Sequence, residues 1–514
     1  MRRLLRWFAM ALLVVLAVVG GGVLVTNRLA PPATGAPGHA LPLHPAQTAI
    51  DRELAPLLAA HPGRTGAVFL ADGLDAFAAR AISARRAGRS LDLQYFIWHN
   101  DLTGRLLASE AHDAAARGVR VRILLDDMNA GGLDPHLLAM DAHPNIELRL
   151  YNPFFNRAGA GRAFELLRRP FSMNHRMHNK AWIADGRVAI IGGRNIGEEY
   201  FSAGPEVNFR DLDLMLLGPA VQQASAIFDA YWNSSAAVPI GMLDAKEPEA
   251  LRRLLADIHR DARSARARRY LDRVAASQLV RDYHRQALEP HWSAGIRVVA
   301  DPPLKRPGHD RARWLDGRLA PMISAARRKA LVISPYFIPG EDGTARLGAL
   351  TARGVYVGVV TNSLAATDVH AVHGGYAAYR ERLLRSGVRL YELRAQPTRR
   401  PAGSGASLHT KAFVLDDARG FVGSFNVDPR SKDLNTEMGV LFDDPVLARQ
   451  LGDEYLRLID PASSYWVYRN AAGELRWLDR AQPSPVVLDH EPDSGLGRRA
   501  LARVTGWLPI ESQL

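Results

Sequence analysis

Two halves of the chain repeat one order of apolar and amphipathic segments. In the first half, residues 91–98 and 119–125 predict strands, 103–117 predict a helix that ends before Gly118, and 146–151 predict a third strand. The second half repeats this order with strands at 330–338, 355–361 and 388–393 and a helix at 344–353. Strand, helix and strand in this order predict right-handed crossovers, so we expect an α/β fold with a mixed, mainly parallel sheet flanked by helices in each half.

The first 30 residues have a different pattern. Arg2, Arg3 and Arg6 precede an uncharged apolar run of 19 residues at 7–25, which is long enough to cross a bilayer as one helix. A cleaved signal peptide is the alternative, but the run is long for one and no Ala-x-Ala site follows it directly. We therefore expect an N-terminal transmembrane helix, and the excess of arginine before it places the bulk of the chain on the far side of the membrane.

These patterns divide the chain into five segments. A Pro-, Gly- and Ala-rich stretch after the apolar run is typical of a flexible tether, and an Arg-, Leu- and Ala-rich stretch between the halves predicts a helical connection. The predicted segments are an anchor or signal at 1–29, a tether at 30–50, a first domain at 51–240, the connection at 241–300 and a second domain at 301–514.

Composition narrows the chemistry only in part. The 65 Lys and Arg against 53 Asp and Glu leave a formal charge of +12, which favours anionic partners such as nucleic acid, acidic lipid headgroups or phosphate-bearing substrates. The chain has no cysteine, which excludes disulfides, thiolate nucleophiles, zinc–thiolate sites and iron–sulfur clusters.

Each half ends in the same signature, HNKAWIADGRVAIIGGRN at 178–195 and HTKAFVLDDARGFVGSFN at 409–426. Both copies place Lys two, Asp seven, Gly fourteen and Asn seventeen positions after the histidine. One H-x-K could arise by chance among 17 histidines, but two matches at equivalent places in a repeat indicate function. The candidate catalytic residues are His178, Lys180, Asp185, His409, Lys411 and Asp416, and the candidate phosphate-binding residues are Gly193, Asn195, Ser424 and Asn426.

The spacing within the signature predicts a geometry. Residues i and i+2 of a strand point to the same face, so each histidine should lie beside its lysine. Asp185-Gly186 predicts a hairpin that brings Gly193 and Asn195 back level with His178. Asp185 then lies at the turn, away from the histidine, and the same holds for Asp416, which points to structural support.

Two further carboxylates occupy matching places after the signatures. Aligned without gaps, the halves place Asp211 opposite Glu437. A catalytic histidine needs an acceptor on its second ring nitrogen to hold its tautomer, and these two residues are candidates. The alternative is that both are surface carboxylates at strand starts.

With these residues, the chain resembles bacterial cardiolipin synthases of the phospholipase D superfamily. Beyond both signatures, the resemblance rests on YFIWHND (95–101), the stretch 176–201, VTNSLAATDVHAVHGGY (360–376) and VGSFNVDPRS (422–431). It covers nearly everything after the tether, and it departs at Gly193, where many members have serine. It implies a duplicated phospholipase D-like fold with the active site between the halves, phosphatidyl transfer with His178 as nucleophile and His409 as acid and base, and no cofactor or metal.

The resemblance also implies a setting. The expected partners are membrane phospholipids, with phosphatidylglycerol as donor and a second phosphatidylglycerol or phosphatidylethanolamine as acceptor, and no nucleic acid. The expected location is the bacterial inner membrane, with the catalytic domain on the periplasmic side. A hydrolytic phospholipase D, a nuclease and a non-catalytic membrane scaffold stay as alternatives; the membrane anchor and two signatures in one chain disfavour a nuclease.

Overall fold

The computed structural model describes residues 35–157, 165, 173–243, 248–305, 310–395, 405–507 and 513. The anchor predicted at 1–29 and the start of the tether lie outside these residues. The prediction of a flexible tether is wrong for its described part, because Gly38 and Ala40 donate from their N–H groups to Asn233 and Asp229 and a helix already begins at Ala49. Within the described ranges, no helix combines the length and the apolar character that crossing a bilayer requires.

A nine-stranded sheet organises the first half of the chain. Its strands are β1 (Thr65–Leu70), β2 (Ser90–Tyr95), β3 (Arg120–Asp126), β4 (Ile146–Tyr151), β5 (Ala181–Ala184), β6 (Val188–Gly192), β8 (Asp213–Leu217), β9 (Ala237–Pro239) and β10 (His291–Ser293). Their spatial order is β10-β1-β8-β6-β5-β2-β3-β4-β9. Among the described strands of this sheet, the pairs β2–β3 and β3–β4 are parallel and the other pairs are antiparallel. Strand β7 (Val207–Arg210) occurs in the same half but lies outside this sheet.

Eight helices of the described residues accompany this sheet. They are α1 (Ala49–Ala60), α2 (Gly73–Arg86), α3 (Leu102–Ala116), α4 (Asp134–Asp141), α5 (Pro219–Trp232), α6 (Pro248–Ala262), α7 (Ala265–Ala275) and α8 (Gln278–His284). Short 3-10 turns occur at Asp127–Asn129, Glu198–Tyr200 and Ile240–Met242. Leu254 and Ile258 of α6 and Tyr270 of α7 join the core that α2 and α3 form on one face of the sheet.

A ten-stranded sheet organises the second half. Its strands are β11 (Ile296–Ala300), β12 (Lys329–Ile333), β13 (Tyr356–Asn362), β14 (Arg389–Leu393), β16 (Lys411–Leu415), β17 (Arg419–Gly423), β18 (Met438–Asp443), β19 (Ser464–Arg469), β20 (Leu475–Asp479) and β21 (Val486–Leu488). Their spatial order is β11-β18-β17-β16-β12-β13-β14-β19-β20-β21. Strand β15 (Gly405–Leu408) occurs in the same half but lies outside this sheet. The helices are α9 (Leu315–Ser324), α10 (Gly340–Ala352), α11 (His370–Arg385), α12 (Pro429–Asp433), α13 (Pro445–Leu458) and α14 (Leu496–Trp507), with a 3-10 turn at Arg311–Arg313.

The predicted α/β fold with two mixed sheets and flanking helices is confirmed, but the prediction of mainly parallel sheets is wrong. Among the described strands of the two large sheets, parallel pairing is confined to β2–β3–β4 and its counterpart β12–β13–β14. The physical reason is the signature hairpin, since β5 and β16 enter antiparallel beside β2 and β12. The strands that follow extend each sheet by further antiparallel pairs.

The two halves share a core and two backbone links. Side chains of β5, β6 and β8 in the first sheet and of β16 to β18 in the second belong to one buried apolar cluster, to which α5 and α13 contribute. β7 pairs in parallel with β15, the strand that leads into His409. A bridge joins Met177, next to His178, to Thr436. The signatures of both halves are thereby held at one place.

The predicted helical connection contains more than helices. After α6, α7 and α8, strand β10 pairs with β1 at the edge of the first sheet, and β11 pairs with β18 at the edge of the second. The chain therefore passes from one sheet to the other near Gly295. The domain bounds at 240 and 300 stay a prediction.

Candidate active site

The two signature histidines face carboxylates of the opposite half. Nδ1 of His178 lies 2.8 Å from Oε2 of Glu437. Nδ1 of His409 lies 2.6 Å from Oδ2 of Asp211. Both histidines are less than a tenth exposed and both carboxylates are buried. Each half therefore completes the histidine site of the other, and the carboxylates singled out from the sequence are the ones in contact.

The backbone of each histidine is also hydrogen-bonded to the opposite half. The N–H of His178 donates to the carbonyl of Thr436 at 2.8 Å, and the N–H of His409 donates to the carbonyl of Arg210 at 2.8 Å. In both cases the accepting residue directly precedes the carboxylate that contacts the imidazole. Each histidine is thus held at its backbone and at its ring by one short segment of the other half.

Burial sets the protonation of these pairs. It lowers the pKa of His178 to about 4, against the opposing attraction of Glu437, and it also lowers the pKa of His409. Burial alone would raise the pKa of Glu437 and Asp211, but the facing histidines hold both pKa values below the ordinary range. The carboxylates are therefore ionised near neutral pH. A ring that donates Nδ1–H to its carboxylate has Nε2 available for chemistry.

The two lysines of the signatures lie in the same buried space. Nζ of Lys180 donates to the carbonyl of His178 at 2.6 Å, and Nζ of Lys411 donates to the carbonyl of His409. Burial lowers the pKa of Lys180 to about 7 and that of Lys411 to about 8. An anionic ligand between them would favour the charged form of both.

The two asparagines have different surroundings. Asn195 donates from Nδ2 to the hydroxyl of Tyr200 at 2.9 Å and accepts from the N–H of Ile97 at 3.2 Å. Oδ1 of Asn426 is buried and has no hydrogen-bond partner among the described residues. The equivalent positions are therefore matched in sequence but not in contacts.

Three aromatic side chains that sequence reasoning missed pack on the imidazoles. Phe96 lies edge-on to His178 at 5.1 Å between ring centroids, Tyr200 lies edge-on to His409 at 5.2 Å, and Phe209 stacks on His409 at 5.0 Å. The available signal was position, since Tyr200 follows Asn195 by five residues and Phe209 precedes Asp211 by two. Their rings exclude water from the histidines and restrict how the imidazoles can turn.

Gly193 and Ser424 occupy equivalent positions but meet carboxylates of different length. A Cβ at Gly193 would lie 2.1 Å from Oδ1 of Asp211, so a side chain there would have to displace this carboxylate. Ser424 Oγ instead donates to Oε2 of Glu437 at 2.5 Å. The departure at Gly193 therefore follows from the position of Asp211.

The signature aspartates lie at the turns, away from the histidines. Asp185 accepts from the backbone N–H groups of residues 88–90, just before β2. Asp416 accepts from those of residues 327–329, just before β12. Although burial opposes it, these N–H groups lower the pKa of Asp416. The contacts link each hairpin to its neighbouring strand and reach no catalytic atom.

Among the described residues, one set of side chains has the spacing of cation ligands. His99, Asp101 and Glu199 bring one ligand atom each within 4.8 Å of one another. Nδ1 of His99 lies 3.2 Å from Oε1 of Glu199, and this contact raises the pKa of His99. The arrangement is accounted for as an ion pair beside the histidine site.

The fold and the site define a class of protein. The family described as cardiolipin synthase, PLD-like domain, matches residues 82–232 and 319–459, one stretch in each half. The chain belongs to this family, in the phospholipase D superfamily.

Individual relatives agree with this assignment, and a solved structure agrees with the fold. The chain is 41% identical over 477 residues to cardiolipin synthase C of Escherichia coli (strain K12), covering 89% of this chain and 98% of that protein. It is 26% identical over 389 residues to a cardiolipin synthase of Staphylococcus aureus (strain N315), covering 75% of this chain and 65% of that protein. The fold is similar to that of phosphatidylserine synthase from Haemophilus influenzae Rd KW20, with a TM-score of 0.57, 12% identity and coverage of 90% of this chain and 99% of that chain.

Proposed function

We propose that this protein is a cardiolipin synthase-type phosphatidyltransferase, which moves a phosphatidyl group from phosphatidylglycerol to a hydroxyl of a second phospholipid. The observation that carries the proposal is the pair of histidine–carboxylate contacts, each made between the two halves. The relatives named cardiolipin synthase support the same substrates.

The first step would make a covalent intermediate on His178. Glu437 holds Nδ1 of His178, so the Nε2 lone pair attacks the phosphorus of the donor. The bond from phosphorus to the oxygen of the headgroup glycerol breaks, and the phosphatidyl group stays on the histidine. His409 has to carry a proton on Nε2 at this step, in a form that Asp211 stabilises against the effect of burial, and gives this proton to the leaving glycerol. The low pKa of His178 keeps it neutral and nucleophilic near pH 7.

The second step would reverse the roles on a new alcohol. The acceptor hydroxyl gives its proton to His409, and its oxygen attacks the phosphorus while the bond from phosphorus to His178 breaks. Both histidines return to their starting states, so the reaction consumes one donor and one acceptor and releases one glycerol. No redox partner is required.

The remaining signature residues would stabilise charge on the phosphate. Lys180 and Lys411 lie buried next to the histidines and would neutralise the equatorial oxygens as negative charge builds up. The amides of Asn195 and Asn426 would donate to the same oxygens, whereas the space beside Gly193, a predicted phosphate contact, is occupied by the carboxylate of Asp211. Asp185 and Asp416 would act as supports for the hairpins.

The setting is also part of the proposal. An N-terminal anchor at 1–29 would hold the two phospholipase D-like domains at the periplasmic face of a bacterial inner membrane. There the site would meet phosphatidylglycerol both as donor and as acceptor, since the acceptor has to supply a free hydroxyl and the headgroup of phosphatidylethanolamine has none.

The test is mass spectrometry of lipids from a cardiolipin-deficient bacterial strain that expresses the full chain. We expect cardiolipin with the wild type and none with His178→Ala or His409→Ala, each checked for equal expression. Phosphatidic acid in place of cardiolipin would make the protein a hydrolase. Unchanged phosphatidylglycerol with purified protein and several acceptors would overturn the proposal.

A further inference from the structure

The C-terminal helix α14 packs on α11 through small residues. A Cβ added at Gly374 of α11 would lie 2.4 Å from the carbonyl oxygen of Ala502, and one added at Gly506 would lie 2.9 Å from the carbonyl oxygen of Gly374. Ala502 is 7% exposed. The two backbones are therefore in close contact, and the small residues of α14 form its inner face.

The outer face of α14 is apolar and exposed. Leu496, Leu501 and Val504 are 79%, 51% and 52% exposed. At about 100° per residue, these three side chains cover the side of the helix opposite Ala502. Burying an apolar stripe is what normally stabilises such a helix, so an outward stripe indicates contact with something else.

Positive charge borders this outer face. Arg498 and Arg503 are exposed on its two sides, and the sequence from 496 to 507 contains no acidic residue. The acids that precede the helix are already paired, since Glu491 contacts Arg380 and Asp493 accepts from the hydroxyl of Tyr465. An apolar stripe with arginines along both edges is the pattern of a helix that lies in the interface of an anionic membrane.

The helix packs on an element that begins near the candidate active site. Its partner α11 begins two residues after Asp368, which accepts from the hydroxyl of Tyr336 and whose charge opposes the fall in the pKa of Lys411. After the helix, the carbonyl of Gln513 accepts from Arg430, four residues beyond Asn426. The element on which α14 packs therefore begins next to a residue that influences Lys411, and Gln513 beyond α14 approaches the loop after Asn426.

We propose that α14 docks the protein on an anionic phospholipid surface, with Leu496, Leu501 and Val504 below the headgroups and Arg498 and Arg503 on lipid phosphates. This docking would bring the histidine site to the membrane surface, where a lipid can enter it without leaving the bilayer completely. The inference rests on the proposed function only for the identity of that lipid. The contact with the membrane is measured separately from activity.

The absence of cysteine gives a direct test. The full chain with Leu501→Cys, labelled with a nitrobenzoxadiazole fluorophore, is placed in phosphatidylcholine vesicles containing phosphatidylglycerol and lipids brominated on the acyl chains. The control is Leu456→Cys on α13, which is 58% exposed and lines a pocket with Asp417 at the turn end of the β16–β17 hairpin. We expect a blue shift and quenching at 501 several-fold stronger than at 456, also in a His178→Ala background.

Two comparisons complete the design. Replacing Arg498 and Arg503 by Gln should lower the ratio of lipid-shielded to unshielded label at 501 by roughly fivefold for each arginine, because a basic side chain at an anionic surface contributes on the order of 1 kcal/mol. Equal quenching at 501 and 456 would overturn the proposal. Shielding at 501 that follows protein concentration and not lipid would also overturn it, and would identify a second copy of the chain as the partner. Retained quenching in a protein without transferase activity would leave the docking intact and refute only the proposed function.

Discussion

The same chemical change at the two carboxylates is expected to have unequal effects. Asp211→Asn and Glu437→Gln each replace a carboxylate by its amide isostere. Both oxygens of Asp211 accept from N–H groups, Oδ2 from His409 at 2.6 Å and Oδ1 from the backbone of Leu212 at 2.8 Å. Glu437 uses Oε2 for both His178 and Ser424, and its buried Oε1 has no hydrogen-bond partner among the described residues.

This difference decides where an amide NH₂ can go. In Glu437→Gln, the carbonyl can stay at the Oε2 position and the NH₂ can take the vacant one, so His178 keeps its tautomer. In Asp211→Asn, the NH₂ must face either the N–H of Leu212 or Nδ1 of His409. The first choice sets two donors against each other, and the second forces the opposite tautomer on His409.

The magnitudes follow from these contacts. In Glu437→Gln, a charge-assisted hydrogen bond becomes a neutral one, a loss of about 1 to 2 kcal/mol, or about 5- to 30-fold in kcat. In Asp211→Asn, the wrong tautomer costs about 10⁴-fold in kcat, the scale measured for a catalytic histidine whose orienting aspartate becomes asparagine.

The assay is transfer of a labelled phosphatidyl group in mixed micelles, with kcat measured for both variants. Unfolding midpoints in guanidinium serve as controls, so that loss of folded protein is not counted as loss of catalysis. Equal losses in the two variants, or a larger loss for Glu437→Gln, would refute the assignment of the hydrogen bonds.

Three further expectations concern fit, protonation and support. Gly193→Ala should lower kcat by at least about 100-fold, because the added Cβ displaces Asp211, and activity near that of the wild type would contradict the geometry. The value of kcat/KM should fall as pH rises through about 7 to 8, because first Lys180 and then Lys411 lose the proton and with it the positive charge that attracts the phosphodiester. A flat profile to pH 10 would exclude this role of the two lysines. Asp416→Ala should reduce the free energy of unfolding by about 2 kcal/mol more than Asp417→Ala, since both residues have positive φ but only Asp416 accepts three backbone hydrogen bonds. Equal midpoints in guanidinium unfolding would show that Asp416 gives no such support.

Local features of the molecule could be predicted from the sequence. The order of strand, helix and strand in each half and the signature hairpins follow from apolar periodicity and turn residues, which act over a few positions. The sequence also indicated Asp211 and Glu437, because the two halves could be aligned on each other. Their roles in catalysis stay a prediction until the variants are measured.

Strand direction and the aromatic contacts could not be predicted in the same way. Crossover helices led to an expectation of mainly parallel sheets, whereas most neighbouring pairs are antiparallel. Pairing depends on which strands meet, and periodicity within one strand does not report its neighbour. Phe96 and Phe209 were missed for a related reason, since an aromatic residue in an apolar stretch looks the same whether it packs in a core or on a catalytic ring.

The sequence by itself determined that this chain is a duplicated protein with paired His, Lys and Asn signatures, because these features depend only on residue type and spacing. Only the tertiary structure decided that each histidine is completed by the other half. The contacting pairs His178–Glu437 and His409–Asp211 lie 259 and 198 positions apart in the chain. No local pattern fixes such a distance, whereas packing the two sheets on one core and pairing β7 with β15 does.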